Sequence, residues 1–236
     1  TTGTNNTAIG YTSMPVNTTG FDNAGLGENT LYSNTTGSQN TANGSNTLYS
    51  NTTGNGNTAC GQNSLYFNTT GNYNSGLGVN SLRLCTTGLR NVASGYQSLN
   101  AVTTGSNNTS AGYASGSTLT TGSNNTYIGS NADATTNSLT NSTAIGYNAK
   151  VSSNNSMVLG GSGANLVNVG IGVSSPSSAL SFDGTAARTV GMERNTTAAT
   201  AGYAFTVQAG GAYSTGTNLN GGDLNLVSGI STGTGS

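Results

Sequence analysis

Apolar and polar positions along the chain recur every seventeen residues from residue 1 to about residue 146. One apolar column is Met14, Leu31, Leu48, Leu65, Leu82 and Leu99. A second is Ile9, Leu26, Cys60, Leu77 and Ile128, lapsing to Asn43, Ser94 and Ala111. The polar columns hold the same register. Thr-Thr-Gly ends at Gly3, Gly20, Gly37, Gly54, Gly71, Gly88, Gly105 and Gly122. A second glycine column runs from Gly10 to Gly146, and an asparagine column, Asn6 to Asn125, stands four residues before it. No insertion or deletion interrupts eight units, which is the mark of coils stacked on one another.

Repeated Gly, Asn and Thr oppose helix formation, so short strands with tight corners are expected. Seventeen extended residues allow two or three strands per unit, with successive units about 4.8 Å apart. Both apolar columns are expected to face inward. Burying two such side chains gains roughly 3 to 6 kcal/mol, against about 1 to 2 kcal/mol for each backbone residue ordered. A lone unit therefore cannot fold. Stacking supplies a backbone hydrogen-bond ladder and aligns like side chains, and asparagine ladders are self-complementary in this arrangement. Asn-Thr-Thr-Gly reads as the corner, with Asn and Thr bonding nearby backbone and Gly supplying positive φ. Tyr32, Tyr49 and Tyr66 follow the leucines and, by alternation, are expected to point outward, toward a partner chain or a carbohydrate. So thin a core predicts oligomerisation, as a homotrimer that adds a second, shared core.

Composition narrows the function classes. Charged residues make up 5% of the chain and the formal net charge is -1. Disordered chains share the polar bias, but the bias here is organised into columns. The five basic residues cannot build a phosphate-binding patch, so nucleic acid is excluded as a partner. No apolar run is long enough to span a bilayer, and no signal-peptide pattern opens the segment. The segment reads as a piece of a longer chain. Cys60 and Cys85 lie in different columns and are expected to be a small buried hydrophobe and a substituted turn residue. Asn-x-Ser/Thr sequons at Asn17, Asn34, Asn51, Asn68, Asn108 and Asn195 make glycosylation the alternative to turn chemistry.

Beyond Gly129 the pattern shortens. Leu139 stands where a glycine was due, and Asn141-Ser-Thr-Ala-Ile-Gly146 and Asn155-Ser-Met-Val-Leu-Gly160 are fourteen residues apart. This pair resembles the head repeats of trimeric autotransporter adhesins (YadA-like), and Asn6-Thr-Ala-Ile-Gly10 is similar to a shortened form. The resemblance implies a left-handed parallel β-roll with three chains side by side. Asn168 to Leu180 resembles the connector of phage tail fibres and of bacterial surface fibres that end in an intramolecular chaperone. Farther on, Tyr203–Gln208 and Asp223–Val227 alternate as strands, punctuated by Gly210-Gly211 and Gly221-Gly222. Arg188, Glu193 and Arg194 form the densest charge cluster, read as a solvated turn or an interchain salt bridge.

The fold expected is all-β: a parallel β-solenoid (β-roll) of 17-residue coils, left-handed and homotrimeric, followed by a β-rich fibre stalk. Its parts are the solenoid at 1–138, shorter coils at 139–160, a connector at 161–180 and a stalk or small β domain at 181–236.

Catalysis is not expected. The chain has no histidine and six acids, of which only Asp22 and Glu28 share a unit in the array, while Asp133 stands alone. Gly25-Leu-Gly27 and Gly76-Leu-Gly78 lack the helix and lysine of a phosphate loop and are assigned to a strand edge. No catalytic, cofactor-binding or metal-ligating residue is singled out, and no cofactor is expected. The function expected is an extracellular adhesive fibre at a cell or virion surface. It would partner itself, as a homotrimer or filament, and a host-surface or matrix glycan or protein receptor, without membrane insertion. A viral tail fibre is the alternative, and ice binding through the Thr18 and Thr19 columns is the alternative of another class.

Overall fold

The computed structural model describes residues 2–161 and 167–182. Among these the chain is all-β and forms a parallel β-solenoid. The strands that open successive coils are β1 (Thr7–Ile9), β2 (Ala24–Leu26), β3 (Thr41–Asn43), β4 (Thr58–Cys60), β5 (Ser75–Leu77), β6 (Val92–Ser94), β7 (Thr109–Ala111) and β8 (Thr126–Ile128). With β10 (Thr143–Ile145) and β12 (Met157–Leu159) they make a ten-stranded sheet, ordered along the chain except that β9 (Asp133–Ala134) and β11 (Lys150–Val151) pair separately. The register is the sequence period itself: Ala42 sits opposite Ala59 and Ala59 opposite Gly76. Only the step from Thr143 to Met157 is shorter, at fourteen residues. The strands β13 (Val169–Ile171) and β14 (Leu180–Phe182) form a two-stranded sheet over the expected connector. The strands expected at Tyr203–Gln208 and Asp223–Val227, the double glycines, the Arg188–Arg194 cluster and the sequon at Asn195 lie outside the described residues.

Each coil contributes one three-residue strand to the main sheet, where two or three strands per unit were expected. The reason is backbone conformation. Residues of three columns are left-handed in coil after coil, among them Gln39 (φ 61°), Asn46 (φ 57°) and Leu48 (φ 52°), and they bend the chain before a second strand can form. Hydrogen bonding between coils continues around the corners nonetheless. Leu48 N–H donates to Ser64 C=O at 3.1 Å, and Thr52 N–H donates to Thr69 C=O at 2.9 Å. The left-handed backbone also explains why the leucine column holds Met, Leu and Gly but no β-branched residue, since a branched Cβ is strained there.

The core differs from the expected pair of apolar columns. The leucines are fully buried, as expected, but Ile9, Leu26, Leu77 and Ile128 are 58%, 49%, 43% and 42% exposed, and Cys60 is exposed with them. A three-residue strand turns its middle residue inward and both ends outward. The inward column is therefore Gly25, Ala42, Ala59, Gly76, Ala93, Ser110 and Tyr127. Gly25 and Gly76 are thus not strand-edge residues: a Cβ at Gly76 would press on the Ser81 hydroxyl at 2.9 Å. Where Tyr127 enters this column, the leucine column gives way to Gly116, whose notional Cβ would lie 2.9 Å from the Tyr127 ring.

Asparagine completes the interior. Asn40, Asn57, Asn74, Asn91, Asn108 and Asn125 are buried in an unbroken ladder, each side-chain oxygen receiving the next asparagine's backbone N–H. The side-chain nitrogen of each donates to a carbonyl fourteen residues on, as Asn57 Nδ2 does to Gly71 at 2.9 Å. Leu139 extends this pattern where the glycine column fails, since its carbonyl accepts Asn125 Nδ2 at 2.8 Å. The Thr-Thr-Gly glycine has a different reason from the one expected. Gly54 and its equivalents are not in the left-handed region; a Cβ at Gly54 would collide with the Gly71 carbonyl oxygen and Asn51 Oδ1. Close approach between coils, not positive φ, excludes a side chain there. The later column, exemplified by Gly61 at φ 118°, does need glycine for its backbone.

Candidate interaction surfaces

The outward ends of the ten strands build one long side-chain face. One rank is Ile9, Leu26, Asn43, Cys60, Leu77, Ser94, Ala111, Ile128, Ile145 and Leu159, and the other includes Thr7, Thr41, Thr58, Thr109, Thr126 and Thr143. Neither rank carries a charge. Two residues beyond the aliphatic rank, exposed Tyr11, Val79, Tyr96, Tyr113 and Tyr147 continue it, with Tyr96 and Tyr113 stacked at 5.4 Å, and exposed Glu28 is the one charge in that column. At about 4.8 Å per strand the face runs roughly 43 Å along the solenoid.

The tyrosines after the leucine column reach the surface as expected, but their flat faces meet one another. Tyr32 and Tyr49 stack at 4.9 Å with 2° between planes, and Tyr49 and Tyr66 at 5.0 Å with 2°. The next residue in this column is Arg83, whose guanidinium carbon lies 6.0 Å from the Tyr66 ring centre and 5.5 Å from that of Phe67. Phe67 meets Tyr66 edge-on at 4.7 Å.

The Asn-Thr-Thr-Gly corner divides its labour residue by residue. Asn34, Asn51 and Asn68 are buried in a second ladder, Asn51 Nδ2 donating to Asn34 Oδ1 at 2.8 Å and to the Gly54 carbonyl at 3.1 Å. Asn108 belongs to the first ladder. These four sequon nitrogens are thus engaged inside the folded chain and closed to a glycan. The Thr18 column spends its hydroxyls on the next coil, as Thr52 Oγ1 does on the Thr69 carbonyl at 3.0 Å. The column of Thr19, Thr36, Thr53, Thr70, Thr87, Thr104 and Thr121 is exposed, and its hydroxyls make no hydrogen bond among the described residues.

The second ladder ends at Cys85, a position filled in later coils by Val102 and Leu119. Asn68 Oδ1 is left buried without a partner at this junction. Cys85 is a buried residue of the interior, in keeping with a substituted corner position, and burial pushes its thiol up to about 12. Burial likewise raises Tyr127 to about 12, with Asp133 adding to the shift and the Ser142 hydrogen bond opposing it.

Asp22 and Glu28 are both exposed. Asp133 is buried and fully occupied: Thr118 Oγ1 donates to it at 2.8 Å, Thr118 N–H at 3.1 Å and Ala134 N–H at 2.8 Å, with Lys150 Nζ at 3.7 Å. A carboxylate ringed by donors anchors a corner and has no free lone pair for a metal or a substrate proton. Among the described residues, no three His, Cys, Asp or Glu side chains gather where they could hold a metal ion. No described helix is long and apolar enough to cross a membrane. Sequence reasoning missed the aliphatic face because period-two alternation cannot be phased from an isolated apolar residue. The small residues at Ala42, Ala59 and Ala93 were the available signal.

Comparison with protein-family models, curated proteins and solved structures found no match to this chain.

Proposed function

We propose that this chain is a segment of an extracellular fibre that associates with copies of itself along the ten-stranded face and serves in attachment. One observation carries the reading: both outward ranks of the strands are uncharged over the ten strands and present Ile9, Leu26, Leu77, Ile128 and Leu159 to solvent. Exposed apolar patches on monomers rarely exceed roughly 300–600 Å² unless they bind something. A self-complementary aliphatic rank repeated at the strand spacing fits a homotrimer or a filament of parallel copies. The likeness of residues 141–160 to adhesin head coils supports the trimer. A bacterial surface adhesin is the first host for such a segment, and a tail fibre with receptor-binding surface the second. Native mass of the chain at micromolar concentration tests the association. A trimeric mass that falls to monomer in Leu77→Asp is expected; a monomeric mass for the unaltered chain would overturn it.

The exposed threonine column supports a second reading, ice binding. Its free hydroxyls repeat at the coil spacing on a straight row, an arrangement able to order water. Thermal hysteresis measured on the concentrated chain decides this, and no depression of the freezing point ends it.

A further inference from the structure

We infer that Tyr66, Phe67 and Arg83 form a binding site for a carboxylate-bearing sugar of an acidic glycan. The inference rests on the attachment reading above and names the ligand chemistry. Arg83 is held by aromatic rings, its guanidinium carbon 5.5 Å from the Phe67 centre and 6.0 Å from that of Tyr66. Among the described residues the one ion pair joins Lys150 and Asp133, so no described carboxylate neutralises Arg83. Among the described residues its guanidinium N–H groups make no hydrogen bond and are not buried without a partner, which leaves the planar fork for a ligand. That fork matches a carboxylate in bidentate fashion, and two aromatic neighbours pre-orient it at low entropic cost.

The surrounding groups favour a sugar over an acidic peptide. Phe67 is 38% exposed and stands at 72° to Tyr66, so its ring is turned out of the stack, and the ring face that Arg83 does not cover is the platform for the C–H face of a pyranose. Tyr32, Tyr49 and Tyr66 set three phenol groups at intervals of 4.9 and 5.0 Å along the axis, donors and acceptors for successive hydroxyls. The stacked tyrosine faces are unavailable, which makes Phe67 and Arg83 the centre. Among the described residues Arg83 is the cation that lies over aromatic rings, which sets it apart from exposed Arg90.

The full chain is titrated by saturation-transfer NMR with an oligogalacturonate, with sialyllactose, with their neutral counterparts and with a poly-glutamate peptide. Saturable binding of an acidic sugar is expected, at least about tenfold weaker for the neutral counterpart, for Arg83→Gln and for Phe67→Ala, with circular dichroism unchanged. Preference between oligogalacturonate and sialyllactose separates a matrix polysaccharide from a cell-surface glycan as the source. Absence of binding, equal binding of acidic and neutral sugars, an unaffected Arg83→Gln, or equal binding of poly-glutamate would each overturn the assignment. Native mass is recorded on the same samples, so a monomer that binds the sugar refutes self-association alone, and a trimer that does not refutes this site alone.

Discussion

Two asparagines of one ladder, Asn57 and Asn91, are chemically equivalent yet should differ in what their loss costs. Asn57→Ala removes the donor to the Gly71 carbonyl, but Asn68 Nδ2 also donates to that carbonyl, at 3.1 Å, and it stays satisfied. Only the Asn74 N–H, which donates to Asn57 Oδ1 at 2.9 Å, is left buried without its acceptor. Asn91→Ala acts where the second ladder has already ended. The Gly105 carbonyl then loses its Asn91 Nδ2 donor at 2.8 Å, because Val102 fills the supporting position, and the Asn108 N–H loses its acceptor as well. An orphaned buried polar group costs about 1–3 kcal/mol. The variants should therefore be destabilised by about 1–3 kcal/mol for Asn57→Ala and about 2–6 kcal/mol for Asn91→Ala, beyond any cavity effect common to both. Urea unfolding of the full chain gives the totals. Amide exchange places the loss in the affected coils, since repeat arrays can open locally. Equal destabilisation of the two variants, or none in either, would refute the account of two mutually supporting ladders.

Leu65→Asp should collapse local stacking, because it puts an unpaired charge at a fully buried position; unchanged melting would refute the inward assignment. Leu65→Ile keeps the volume but places a β-branched residue at φ 52°, and should lower stability by about 1–3 kcal/mol where Leu65→Met is nearly neutral. The contribution of buried Cys85 and Tyr127 to stability should fall as the pH rises from about 9 toward about 12, because the unfolded chain releases their protons first, from ordinary values of 9.0 and 10.0. Thermal melts of Cys85→Val/Tyr127→Phe should show a shallower alkaline fall, and an unchanged slope would disprove this assignment. An aromatic disulfide reagent should label Cys60 but not Cys85 in the folded chain, more slowly as protein concentration rises; labelling independent of concentration counts against association through the sheet face.

The seventeen-residue coil, the all-β stacked architecture and the asparagine ladder are all legible in the sequence, because a fixed register of Asn and Gly serves only where each unit repeats its neighbour's contacts. The inward leucines are legible for the same reason, and so is the outward direction of Tyr32, Tyr49 and Tyr66. Tertiary structure alone decided the rest. One apolar residue before a glycine has no phase of its own, and only the three-residue strand length turned Ala59 inward and Cys60 outward. Spacing showed that Thr-Thr-Gly recurs; the proximity of the next coil's carbonyl showed why its glycine has no side chain. The interaction surfaces belong to this second class, since the aliphatic face joins residues from ten separate strands and Arg83 meets Tyr66 and Phe67 only because stacking sets one coil beside the last. Periodicity in the chain establishes which residues share a column, while the left-handed corners determine which way each column points.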